Sequence, residues 1–124
     1  MNLELKGKKR SIGFSFAWNG IKTAVKTERN FKSHILAAIF VCISGLFFQL
    51  SKIEWVVILL VIGLVLVTEL INTAIEKMID YLKPDIHPSA KAIKDIAAGA
   101  VLIAAITAVL IGLIIFIPKI YTLF

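Results

Sequence analysis

Residues 96–117 form an unbroken stretch of 22 residues without a charge, closed by Pro118 and Lys119. A run of that length matches the roughly 17–25 residues that carry an α-helix across a bilayer. It is not alone. Residues 35–50 form a first apolar run of 16 residues, and residues 55–67 open a second without a charge, so three runs share one chain of 124 residues. In hydrocarbon every backbone N–H and C=O needs an internal partner, which leaves helices or a closed barrel as spanning structures. Nothing here alternates with the period of a strand. The expectation is one all-α membrane domain over residues 1–124, with spans at about residues 32–50, 55–82 and 93–118.

Composition agrees with this reading: 59% of residues are hydrophobic and the mean hydropathy is +0.91, above the roughly 45–50% apolar content of soluble domains. The net charge of +6 does not point to nucleic acid, because eight of the fourteen Lys and Arg fall in residues 1–32, beside the first apolar run. Such clustering attracts anionic lipid and orients a membrane protein. The first inter-span loop carries only Lys52, the second carries Lys83, Lys91 and Lys94, and the tail only Lys119. By the positive-inside rule the N-terminus and second loop face the cytoplasm.

Residues 1–9 are polar and basic and read as a mobile lead-in, with no apolar core and cleavage site of a signal peptide. From residue 11 to about 29, Phe14, Ala17, Trp18, Ile21, Ala24 and Val25 recur at helical spacing. That pattern predicts an amphipathic helix lying on the membrane surface. Residues 51–54 predict a tight first hairpin, and Ser89, after Pro84 and Pro88, predicts the N-cap of the third span. Cys42, the single cysteine, reads as a small packing residue.

The second span ends differently from the others. Glu69, Asn72, Thr73, Glu76 and Asp80 follow one another by three, one, three and four residues and so share one helix face. A charged group near the hydrocarbon core costs about 2.5–3.5 kcal/mol on insertion scales, so such groups face the protein and carry function. If the span enters at Trp55, Glu69 lies two turns inside the far boundary, on the order of 9 Å. Glu28, Lys94 and Asp95 belong to segments on that same side. Carboxylates with a lysine suit Mg²⁺ and phosphate, and a deeply placed carboxylate suits a general base acting on a lipid hydroxyl. These are the parts of phosphoryl transfer, without any Gly-rich nucleotide loop. A small ion-coupled transporter also uses membrane carboxylates, and a structural, holin-like protein is a further alternative. Ala100, Ala104, Ala108 and Gly112 form a ridge suited to close helix contact, and three spans enclose a polar stripe poorly, so self-association is expected.

The segment Glu69-Leu-Ile-Asn72-Thr-Ala-Ile-Glu76-Lys-Met-Ile-Asp80, followed by Ala90-Lys-Ala-Ile-Lys94-Asp95-Ile-Ala-Ala-Gly-Ala-Val101, resembles the prokaryotic integral-membrane diacylglycerol kinases. The similarity is to their Gram-positive branch, known chiefly for undecaprenol phosphorylation. It implies a homotrimer of three-span subunits with sites shared between neighbours, using ATP and Mg²⁺ on a membrane lipid alcohol. Carried over, Glu69 is the catalytic base and Asn72 positions the reacting groups. Glu28 and Glu76 hold Mg²⁺; Phe16, Asp85, Ile86, His87, Lys94 and Asp95 lie along the nucleotide. Lys9, Phe16, His34 and Ala98 stand where Gram-negative members carry Arg, Tyr, Glu and Ser. Those departures fit a polyprenol acceptor, most simply undecaprenol, with diacylglycerol as the alternative.

Overall fold

The computed structural model describes the backbone of residues 3–124 and the side chains from residue 13 onward, so Lys9 and the basic lead-in lie outside the described side chains. The described residues fold into four helices: α1 (Leu3–Thr27), α2 (Arg29–Phe47), α3 (Lys52–Leu82) and α4 (Pro88–Leu123). The last three are long and apolar enough to cross a membrane. The all-helical expectation holds, with boundaries that move for identifiable reasons.

The α1 backbone is helical from Leu3, well before residue 11. Glu28 alone separates α1 from α2, with φ −108° and ψ 109°. Its carboxylate makes no capping bond and faces Lys77 of α3 instead. Buried Ala24 on α1 and Phe31 on α2, only 2% exposed, pack beside that corner.

The first hairpin lies at residues 48–51, slightly earlier than expected. Ser51 is not a turn residue but the N-cap of α3: its hydroxyl accepts from Glu54 N at 3.2 Å while Glu54 Oε1 accepts from Ser51 N at 2.9 Å. This reciprocal pairing satisfies two of the donors a helix start leaves open. Upstream, Leu50 N donates to Gly45 O and Gln49 N to Leu46 O, with Gln49 at φ 54°. Those two bonds and the left-handed residue make a Schellman ending to α2. Gly45 is required there, because a Cβ would lie 2.8 Å from Cη2 of Trp55 and 2.9 Å from Cδ1 of Leu50. Gly45→Leu is expected to lower stability by about 1–3 kcal/mol through overpacking, read as loss of monodisperse protein on heating in detergent. Unchanged thermal resistance would show that the Trp55 indole yields freely.

The α4 helix also departs from expectation at both ends. His87, not Ser89, caps it: His87 Nδ1 accepts from Ser89 N at 3.1 Å, and Pro88 occupies the first helical position. Proline suits that position because its missing N–H would have no partner there. At the other end Pro118 sits inside the helix, which runs on to Leu123. In a spanning segment the carbonyl it leaves unbonded can be accommodated by local adjustment.

Of the three spans, α4 packs along α3, and α2 packs less extensively on α3. Ala90, Ala97 and Ala104 are the buried residues of α4, seven apart along one seam. This differs from the ridge read in the sequence: Ala104 belongs to both, but Ala100 is exposed. On α3 the inward face is Ile58, Val61 and Val65, then Glu69, Asn72 and Thr73, so one stripe turns from apolar to polar along its length.

Candidate active site

Glu69 is 4% exposed, and Asn72 and Thr73 are also buried. A single chain therefore encloses the inner part of the polar stripe, which three spans were expected to do poorly. A groove of about 370 Å³ lined by Asn30, His34, Glu69, Asn72, Glu76 and Ala98 opens between α2 and α4 along this part of α3. Glu76 is half-buried at its edge and Asp80 is exposed beyond it. The stripe thus leads from an enclosed carboxylate out to water.

Within the groove, Asn72 Nδ2 donates to Glu76 Oε1 at 3.2 Å. Its Oδ1 is buried without a donor. A buried carbonyl oxygen left unpaired is costly, so that atom is placed to accept from a hydroxyl or to ligate a cation. His34 Nδ1 stands 3.6 Å from Glu69 Oε2 across the α2–α3 contact. Glu76 lines the groove beside Glu69, whereas Glu28 does not line it. Glu28 itself lies 3.8 Å from Lys77 Nζ.

No cluster of three or more His, Cys, Asp or Glu able to hold a metal occurs among the described residues. Mg²⁺ does not demand one, since it binds through one or two carboxylates together with substrate phosphates. The half-buried Glu76, the uncapped Glu28 and the unpaired Asn72 oxygen are oxygen donors of the right chemistry.

A second depression, about 260 Å³, is lined by Asp80, Lys83, Asp85, Ile86, His87 and Lys94, with Lys91 beside them. The residues expected along the nucleotide therefore gather around the α3–α4 loop, except two. Asp95 is engaged by Lys91 Nζ at 2.6 Å one turn away and does not line this depression. Phe16 is exposed on α1 and lines neither groove. Sequence reasoning underrated Asp80, which pairs with Lys94 across the loop, and His34, noted only as a departure. Asp80 was legible as the last member of the stripe; His34 was not, because its partner lies on another helix.

The model of the family described as prokaryotic diacylglycerol kinase matches residues 15–116. The chain belongs to the prokaryotic diacylglycerol kinase family. As a member it is a lipid kinase of the bacterial membrane that uses ATP, and a transporter or structural role is set aside. The kinase is 49% identical to an undecaprenol kinase of Bacillus subtilis over 106 residues, 86% of each chain. It is 38% identical to a diacylglycerol kinase of Synechocystis over 113 residues, 90% of this chain and 65% of that one. A diacylglycerol kinase of Escherichia coli K12 is 28% identical over 95 residues, 77% of this chain and 78% of its own.

Proposed function

We propose that this kinase transfers the γ-phosphoryl group of ATP to the terminal alcohol of undecaprenol. The observation that carries the mechanism is the burial of Glu69 in a spanning helix, in a groove open to Asn72 and Glu76. A carboxylate held out of water at that depth is placed to meet a hydroxyl arriving from the bilayer. Glu69 takes the hydroxyl proton as the alcohol oxygen bonds to the γ-phosphorus. The bond from that phosphorus to its β-bridging oxygen breaks, and ADP leaves with the electron pair.

Asn72 orients the reacting oxygens, and Glu28 and Glu76 would hold Mg²⁺, which would supply charge neutralisation on the phosphates. Lys94, with Asp85, Ile86 and His87, receives the nucleotide at the α3–α4 loop, which we place in the cytoplasm with the N-terminus. Asp95 reaches the nucleotide beside Lys91, its partner at the edge of the loop depression, and Phe16, which lines neither groove of its own chain, reaches it across a subunit boundary. A homotrimer with sites between neighbours is supported by α4, which leaves most of its large apolar side chains, among them Leu102, Ile103, Val109 and Ile114, uncovered within one chain. The preference for a polyprenol is supported by the Bacillus subtilis relative at 49% identity.

The decisive experiment offers undecaprenol and diacylglycerol side by side, in mixed micelles, to purified protein with Mg²⁺ and labelled ATP. Faster labelling of undecaprenol is expected. Equal or faster labelling of diacylglycerol would overturn the choice of acceptor.

A further inference from the structure

His34 lines two grooves at once. One is the polar groove containing Glu69, Asn72 and Glu76. The other is apolar, about 220 Å³, running between α2, α3 and α4 past Ala37, Ala38, Val41, Ile62 and Val65. Ala105 also borders both, so the grooves adjoin at these two residues. A lipid alcohol with its chain in the apolar groove and its oxygen at Glu69 would pass this junction.

The imidazole Nδ1 is buried and has no hydrogen-bond partner, while Glu69 Oε2 stands 3.6 Å away. That gap is slightly beyond the roughly 3.2 Å limit of an N–H···O bond. Catalytic contacts are often long before substrate arrives and tighten in the complex. The other polar groups facing His34 in this groove are Asn30 on its own helix and Asn72 and Glu76 on α3. From α4 only Ala98, Val101, Leu102 and Ala105 reach it, none able to pair with a ring nitrogen. Glu69 is therefore the acceptor within reach of Nδ1 on α3.

We infer that His34 is a positioning residue: Nδ1–H holds Oε2 of Glu69 and so turns Oε1 toward the hydroxyl of the acceptor. The inference rests on Glu69 as base, proposed above. A carboxylate can rotate about its terminal bond, and fixing one oxygen leaves the other in a single direction. His34 does not exchange a proton in the reaction; it sets where the proton goes.

The test compares His34→Asn, His34→Gln and His34→Leu in the full-length protein. An asparagine amide places its N–H close to the position of Nδ1, a glutamine amide nearer that of Nε2. His34→Leu and His34→Gln are expected to lower kcat about 10²-fold, the scale of a misplaced catalytic group, with KM for ATP within about twofold. His34→Asn is expected to keep kcat within about fivefold of the parent, which a merely space-filling role would not produce. Full kcat in His34→Leu, or Asn no better than Gln, overturns the inference. Glu69→Gln, assayed alongside, separates the two levels: parental turnover there removes the base itself. Loss in Glu69→Gln with no Asn–Gln difference removes His34 alone.

Discussion

Glu69→Gln is expected to lower kcat for lipid phosphorylation by about 10²–10⁴-fold, the usual worth of a positioned general base. The substitution keeps volume and one acceptor oxygen, so α3 has no reason to rearrange around it. Removing a buried charge in a spanning helix relieves a desolvation cost, so the variant should resist heat at least as well as its parent. KM for ATP is expected to change little, since Glu69 lies in the groove away from the loop depression. Steady-state kinetics with saturating lipid, alongside a thermal scan in detergent, checks both halves. Parental kcat would end the assignment, and a collapse in thermal stability would mean that the carboxylate is structural.

Lys94→Met is expected to raise KM for ATP and reduce kcat/KM by about 10- to 100-fold. A hydrogen bond to a charged group contributes about 1.5–3 kcal/mol, and 1.4 kcal/mol is a factor of ten. The contrast with Lys91 makes the prediction specific. Both lysines border the loop depression, but Lys91 is held by Asp95 on its own helix whereas Lys94 reaches across to Asp80 at the end of α3. Asp80 thus fixes the Lys94 ammonium between the two helices, where the acidic stripe meets the loop. Lys91→Met removes only an exposed pair one helical turn apart, worth about 0.3–0.5 kcal/mol, and is expected to leave KM for ATP within about threefold. Initial rates over a range of Mg-ATP concentrations decide it. Equal effects of the two substitutions would show that positive charge in general, not Lys94, attracts the nucleotide.

Much of this was legible in the residues. The three spans follow from charge-free length, and the Glu69-to-Asp80 face follows from helical spacing, because both are properties of a single helix. The hairpin position was misread because Ser51 and Glu54 look like loop polarity until their reciprocal bonds form. Pro118 reads as an end because proline breaks helices in water, while here α4 continues through it. The α3–α4 seam is not legible because the ridge's repeat of four and a repeat of seven share Ala104, and only the packed helices show which residues face α3.

By itself the sequence determined that the chain is helical, crosses a membrane, and carries acids on one face of its second span. Periodicity and desolvation act residue by residue along a chain, so they can be read without coordinates. Only the tertiary structure decided which atoms meet: the imidazole of α2 against the carboxylate of α3, Asp80 against Lys94, and Glu28, at the corner of α1 and α2, against Lys77. Such pairings depend on the rotation and crossing of whole helices, which many side chains fix together and no single stretch encodes.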